Sequence, residues 1–98
     1  MVKEISAQDF VKLDKSKITI LDLREEKEAL KEPFKNAINV PFSKIWTGID
    51  DIPKDKPVYV FCNSGYFSEE TAILLEERGY DAINVLGGYL AFKEDKKC

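Results

Sequence analysis

The chain of 98 residues contains no histidine. That absence removes the usual general base and a common metal ligand together. No metal site is expected, and a nucleophile here must be activated by backbone dipoles rather than by an imidazole. Cysteine is almost as scarce. Cys62 and Cys98 stand far apart in a chain that opens MVKEIS, which is no signal peptide, so a disulfide framework is not indicated. Long apolar runs are missing too. None approaches the roughly 18 residues of a membrane span, so no membrane association is expected and the default compartment is the cytoplasm. An excess of positive charge is also lacking. Fifteen Lys and Arg against 18 Asp and Glu leave a net charge of −3, which gives no footprint for nucleic acid. There are no repeats, linkers or low-complexity segments, and the length fits one domain over residues 1–98.

What is present is organised around PVYVFCNSGYFSEETAILLEERG, residues 57–79. Val58 to Phe61 form an unbroken run of β-branched and aromatic residues, the mark of a strand buried on both faces of a parallel sheet. Ser68 can cap a following helix, with Glu69 and Glu70 in its first turn and Gly79 just past its end. The residues between, Cys62-Asn63-Ser64-Gly65-Tyr66-Phe67, must turn the chain sharply. A short loop that curls back aims backbone N–H groups inward and makes an anion-binding nest beside a helix N-terminus. As a type, free cysteine is usually a small core hydrophobe. Its position argues otherwise: ligands of open α/β sheets bind beyond the carboxyl ends of strands, and Cys62 stands at such an end. Thiols at helix N-termini lose their proton more readily than free ones.

In chain order, residues 2–5 suggest an edge strand and Ser6 an N-cap. A first helix reaches about Asp14 and turns Phe10, Val11 and Leu13 to the core. Residues 15–17 make a polar turn, and residues 18–23 an interior strand. Asp22 and Arg24 at its end suit a local ion pair. Residues 25–31 are strong helix formers. Residues 38–41 suggest a short third strand, and residues 42–46 one helical turn whose Trp46 covers the core. Residues 48–56 read as a surface connection. The last strand lies within 80–86, Gly87-Gly88 turns the chain, and Leu90, Ala91 and Phe92 start a closing helix before a polar tail from Glu94 that carries Cys98 as an incidental thiol.

At these residues the sequence resembles the rhodaneses, or thiosulfate sulfurtransferases, whose active loop has the form C-x-x-G-x-x followed by a helix. Here it reads CNSGYFS. LDLREEKE, NAINVPFSKI and GYDAINVLGGYLAF match three further family stretches, in order, across nearly the whole chain. The resemblance implies an α/β fold: a rhodanese-like three-layer sandwich with a central parallel sheet of four to five strands flanked by helices. It departs at residues 33–36, where many members carry Gly-His-Ile and a further Gly.

The function so implied is sulfur transfer. Cys62 would be the catalytic nucleophile. Asn63, Ser64, Gly65, Tyr66, Phe67 and Ser68 would bind substrate through their amides, with Asp22, Arg24, Gly87 and Gly88 supporting the loop. No cofactor is called for. The partners implied are a small sulfur-donor anion or a persulfide, and a thiophilic acceptor such as cyanide, glutathione or thioredoxin, with the protein acting as a monomer. Many rhodaneses place an Arg in the loop, whereas Asn63 and Phe67 stand here and Glu69 and Glu70 follow. That predicts weak use of thiosulfate and favours a persulfide, with Tyr66 and Phe67 as an apolar rim. Two other readings are weighed against this. One is a non-catalytic binding or regulatory module, although inactive relatives usually lack the cysteine. The other is a phosphatase or arsenate reductase, whose C-x5-R loop would need Arg where Ser68 stands.

Overall fold

The computed structural model describes residues 2–95, with side chains through residue 91. Cys98 therefore lies outside the described residues, as does the side chain of Phe92. The elements are β1 (Lys3–Ile5), α1 (Ala7–Val11), β2 (Thr19–Asp22), α2 (Glu26–Lys31), β3 (Ala37–Asn39), α3 (Ile45–Gly48), β4 (Val58–Phe61), α4 (Tyr66–Glu77), β5 (Ala82–Val85) and α5 (Gly88–Asp95). The five strands form one sheet in the order β1-β5-β4-β2-β3, and every pairing is parallel. Helices cover both faces. The expected three-layer α/β architecture is what the chain adopts.

The pleat explains the two cores. Alternate residues of a strand face opposite sides. Val58, Val60 and Cys62 point to the face covered by Ile45, Ile49, Ala72 and Leu75. Phe61 and Ile20 point to the other, with Ala7 and Phe10 of α1 and Tyr89 of α5. β2 and β4 are the interior strands with the longest apolar sequence, and burying both faces is what such a sequence favours. Among the described residues no helix is long and apolar enough to cross a membrane.

Several local expectations need correction. α1 stops at Val11, and Val11 is exposed while Phe10 is buried. Five residues hold barely more than one turn, so Ala7 and Phe10, three positions apart, share the face that meets the sheet, Leu13 packs there from beyond the helix, and Val11 turns outward. Trp46 does not cover the core; it is 68% exposed, and its neighbour Ile45 is the buried residue. The stretch 48–56 is more than a surface connection, because Ile49 and Ile52 plug one core and Ile49–Asp51 form a 3-10 turn. β3 begins one residue earlier than its apolar run, and α5 continues to Asp95 through the first residues assigned to the tail. At 33–36, where the glycine of many rhodaneses is missing, Asn36 takes the left-handed conformation at φ 69. Asparagine is among the few side chains that visit that region readily.

Candidate active site

The five parallel strands end at the same edge of the sheet, and the residues just beyond three of them meet. Cys62 follows β4, Arg24 follows β2, and Gly87-Gly88 follow β5. This is the carboxyl edge where open parallel sheets place their ligands.

The loop after β4 is shaped from two sides. Gly65 caps α4 in the left-handed conformation at φ 96, with no side chain to cap the helix. Its N–H donates to Cys62 Sγ at 3.1 Å. From behind, the first turn of α5 reaches over the loop: Tyr89 N donates to Cys62 O at 2.8 Å and Leu90 N to Asn63 O at 3.1 Å. Those carbonyls are thus drawn to α5, away from the sulfur. The fit is close. A Cβ on Gly88 would sit 2.3 Å from Cys62 O, and one on Gly65 would sit 3.0 Å from Gly87 N. The Gly-Gly pair is there so that one backbone can touch another.

The expected N-cap at Ser68 is wrong. α4 starts at Tyr66, so Ser68 lies inside the first turn and is fully buried. Gly65 wins the cap because its positive φ ends the loop earlier and frees the first amides of α4 on the loop side, where the end of a helix favours an anion. Ser68 faces the sulfur instead. The Cys62 thiol donates to Ser68 Oγ at 3.6 Å, and Ser68 donates to Asn84 Oδ1 of β5 at 2.6 Å. Asn84, buried in the middle of an apolar strand, gave no sign of this role in the sequence.

Cys62 is only 4% exposed, yet it is not sealed in hydrocarbon. It opens onto a cleft of about 340 Å³ whose walls include Arg24, Glu25, Glu28, Phe42, Asn63 and Phe67. Phe42 stacks on Phe67 with ring centroids 4.5 Å apart and makes an apolar wall. Opposite, Asn63 Nδ2 donates to Glu28 Oε2 at 2.8 Å. A second cleft of about 280 Å³ adjoins the first across Arg24, Glu28 and Asn63, and has Tyr89 and Leu90 on its far side. Of the expected loop residues, Asn63, Ser64 and Phe67 line the main cleft, Gly65 and Ser68 contact the sulfur, and Tyr66 lies 65% exposed outside the cleft lining.

Asp22 and Arg24 make the local ion pair that their spacing suggests, and both are buried. Arg24 Nη2 donates to Asp22 Oδ2 at 2.9 Å, Nε bridges both carboxylate oxygens, and Nη2 also reaches Glu32 O at 2.7 Å. Its guanidinium lies 4.0 Å from the centroid of the Tyr89 ring. Burial, and then the Glu32 carboxylate that accepts from its hydroxyl, push the Tyr89 phenol above its ordinary pKa. Arg24 therefore does more than support the loop from a distance: it forms part of the cleft wall, with its charge balanced by Asp22. Glu25 and Glu28 were legible only as helix formers, since nothing local says that α2 packs over the loop after β4.

Known proteins resemble this chain in sequence and in fold. Residues 6–95 match the Rhodanese-like domain family. The chain is 30% identical to the thiosulfate sulfurtransferase GlpE of Coxiella burnetii, over 95% of this chain and 89% of that protein. It is also 30% identical to the tRNA sulfurtransferase of Aeromonas salmonicida, over 86% of this chain but only 18% of that much longer protein. Among solved structures, a rhodanese-related protein from Thermoplasma volcanium superposes with a TM-score of 0.88 at 28% identity, covering 95% of this chain and 92% of that one. The family match spans nearly all of the sheet and the loop that holds Cys62, and on it the chain belongs to the rhodanese-like domain family.

Proposed function

We propose that the protein is a sulfurtransferase working through a persulfide on Cys62. The observation that carries this reading is the Gly65 amide, 3.1 Å from Sγ, in a loop whose Cys62 and Asn63 carbonyls are held by α5. An amide donor aimed at sulfur stabilises charge on it without reorganisation. Relatives named as sulfurtransferases support the same class of chemistry.

In the first half-reaction the Cys62 thiolate attacks the outer sulfur of the donor. A new S–S bond forms, and the donor leaves as its thiolate, or as sulfite when the donor is thiosulfate. In the second, an acceptor such as cyanide or a thiolate attacks the outer sulfur, and the Cys62 thiolate departs with the bonding electron pair. Neither step needs a metal or an electron carrier, and two half-reactions predict ping-pong kinetics. Ser68 can follow the charge, since its hydroxyl can turn from Asn84 toward sulfur.

The persulfide, rather than thiosulfate, is the donor this cleft favours. No cation stands in the loop, and the one guanidinium nearby is already engaged by Asp22. A missing charge-assisted hydrogen bond of about 1.5–3 kcal/mol would lower the affinity for a dianion about tenfold or more.

The test is intact mass after incubation with a persulfide donor and, separately, with thiosulfate. The protein should gain one sulfur atom that cyanide removes as thiocyanate, and Cys62→Ser should gain none. If no donor loads the wild-type chain, the sulfurtransferase reading fails and a binding or regulatory module takes its place.

A further inference from the structure

The two carboxylates on the cleft wall have no part in the chemistry above. Glu25 and Glu28 come from the start of α2, one turn apart, and both stand at the entrance to Cys62. Among the described residues neither has a cationic partner there. Glu28 is held by the neutral Asn63 amide, and Glu25 Oε1 accepts from Ser43 Oγ at 3.4 Å. Among the described residues the only cation in that wall, Arg24, is balanced by Asp22 at 2.9 Å. Lys31 lies in the adjoining cleft, where Glu32 accompanies it. The entrance therefore carries about two uncompensated negative charges beside an apolar wall of Phe42 and Phe67. Substrate must pass this rim to reach a thiol that is nearly buried.

We propose that Glu25 and Glu28 determine which sulfur carriers Cys62 accepts: they admit a carrier that presents positive charge beside its sulfur and turn small dianions away. This rests on the sulfur-transfer reading of Cys62 and names its substrate class. Asn63 makes the filter firm. By fixing the Glu28 carboxylate it keeps the charge at the rim instead of letting it swing into solvent. Exposed charges act at modest strength and are screened beyond about 8–10 Å at physiological salt, so the filter biases rates rather than imposing an absolute bar.

The charge at the rim can be measured without sulfur transfer. On a Cys98→Ser background, Cys62 is modified with trimethylammonioethyl methanethiosulfonate and, separately, with sulfonatoethyl methanethiosulfonate. In each case the thiolate forms a mixed disulfide and methanesulfinate leaves. At low salt the cationic reagent should be favoured about tenfold more at Cys62 than at a small model thiol, and added salt should shrink that preference. Glu28→Gln, which keeps an acceptor for Asn63, should cut the preference about threefold, and Glu25→Gln with Glu28→Gln should bring it close to the model thiol. A preference no greater than that of the model thiol, or one that these variants leave unmoved, overturns the proposal. The parallel experiment with donors compares cysteamine persulfide with thiosulfate, and the same double variant should lower that rate ratio. If neither donor loads Cys62 while the reagent preference holds, sulfur transfer fails and the charged rim stands. If both donors load Cys62 and their ratio ignores the variants, only the rim proposal falls.

Discussion

At the scale of single residues, the ion pair of Asp22 and Arg24 takes two charges out of water. Both side chains are about 2% exposed, in a region otherwise packed with aromatic rings. Two charges taken out of water are tolerated only when their hydrogen bonds are satisfied. Here they are: Asp22 also accepts from the Arg24 amide at 2.9 Å, and Asn39 Nδ2 binds the carbonyls of both residues. The pair thus fixes the chain leaving β2 and sets Arg24 against Tyr89. Asp22→Asn keeps the shape but strands the guanidinium. It should destabilise the fold by about 3–5 kcal/mol, read from the urea midpoint. Replacing both partners by apolar residues should cost much less than Asp22→Asn alone. A similar cost for both would mean that the pair contributes through packing and not through charge.

At the scale of elements, the sequence was legible where one segment's own pattern decides its structure. The apolar run of β4, the Ser6 cap and the strong helix formers of α2 all stand where local chemistry puts them. The site was legible as far as Cys62 and its loop, because a cysteine after a buried strand and before a helix is a local signal. What escaped depended on which elements meet. Ser68 looked like a cap until Gly65 ended the loop earlier, and Asn84 and Glu28 matter only because β5 and α2 lie beside the loop after β4. The docking of α5 on that loop is the contact to perturb. Gly88→Ala would place its Cβ 2.7 Å from Asn63 O and nearer still to Cys62 O, at φ 60. The backbone must then separate, costing about 1–3 kcal/mol of strain and releasing the two carbonyls. Cys62 should lose most of its reactivity toward a neutral alkylating agent even where the variant remains folded by circular dichroism. Unchanged reactivity in a folded Gly88→Ala protein would show that α5 does not set the loop.

At the scale of the whole molecule, the sheet has a working end and a closing end. The carboxyl ends of the strands carry the cleft, and the opposite end carries Tyr80. Its ring is buried, and its hydroxyl lies 2.9 Å from Ile49 O and 2.6 Å from Ile52 O, so it ties the long connection between β3 and β4 to the chain entering β5. Burial pushes the Tyr80 phenol above its ordinary pKa, with Asp50 and Asp51 adding to the effect. Tyr89, at the working end, shifts in the same direction. In both, the neutral phenol is the form the fold holds. Their contribution to stability is therefore complete below the unfolded phenol pKa of about 10 and is lost as pH climbs from there through the higher folded values. The urea midpoint should fall as pH rises from about 9 to about 11, on either side of that phenol value. Tyr80→Phe, which lacks the hydroxyl, should cost about 1 kcal/mol at neutral pH and flatten the alkaline fall. Because Tyr80 lies at the far end of the strands from Cys62, the same variant should leave the reagent preference of Cys62 unchanged. A Tyr80→Phe protein that kept the full alkaline loss would assign that loss to other groups. One that altered the chemistry of Cys62 would show that the two ends of the sheet are coupled.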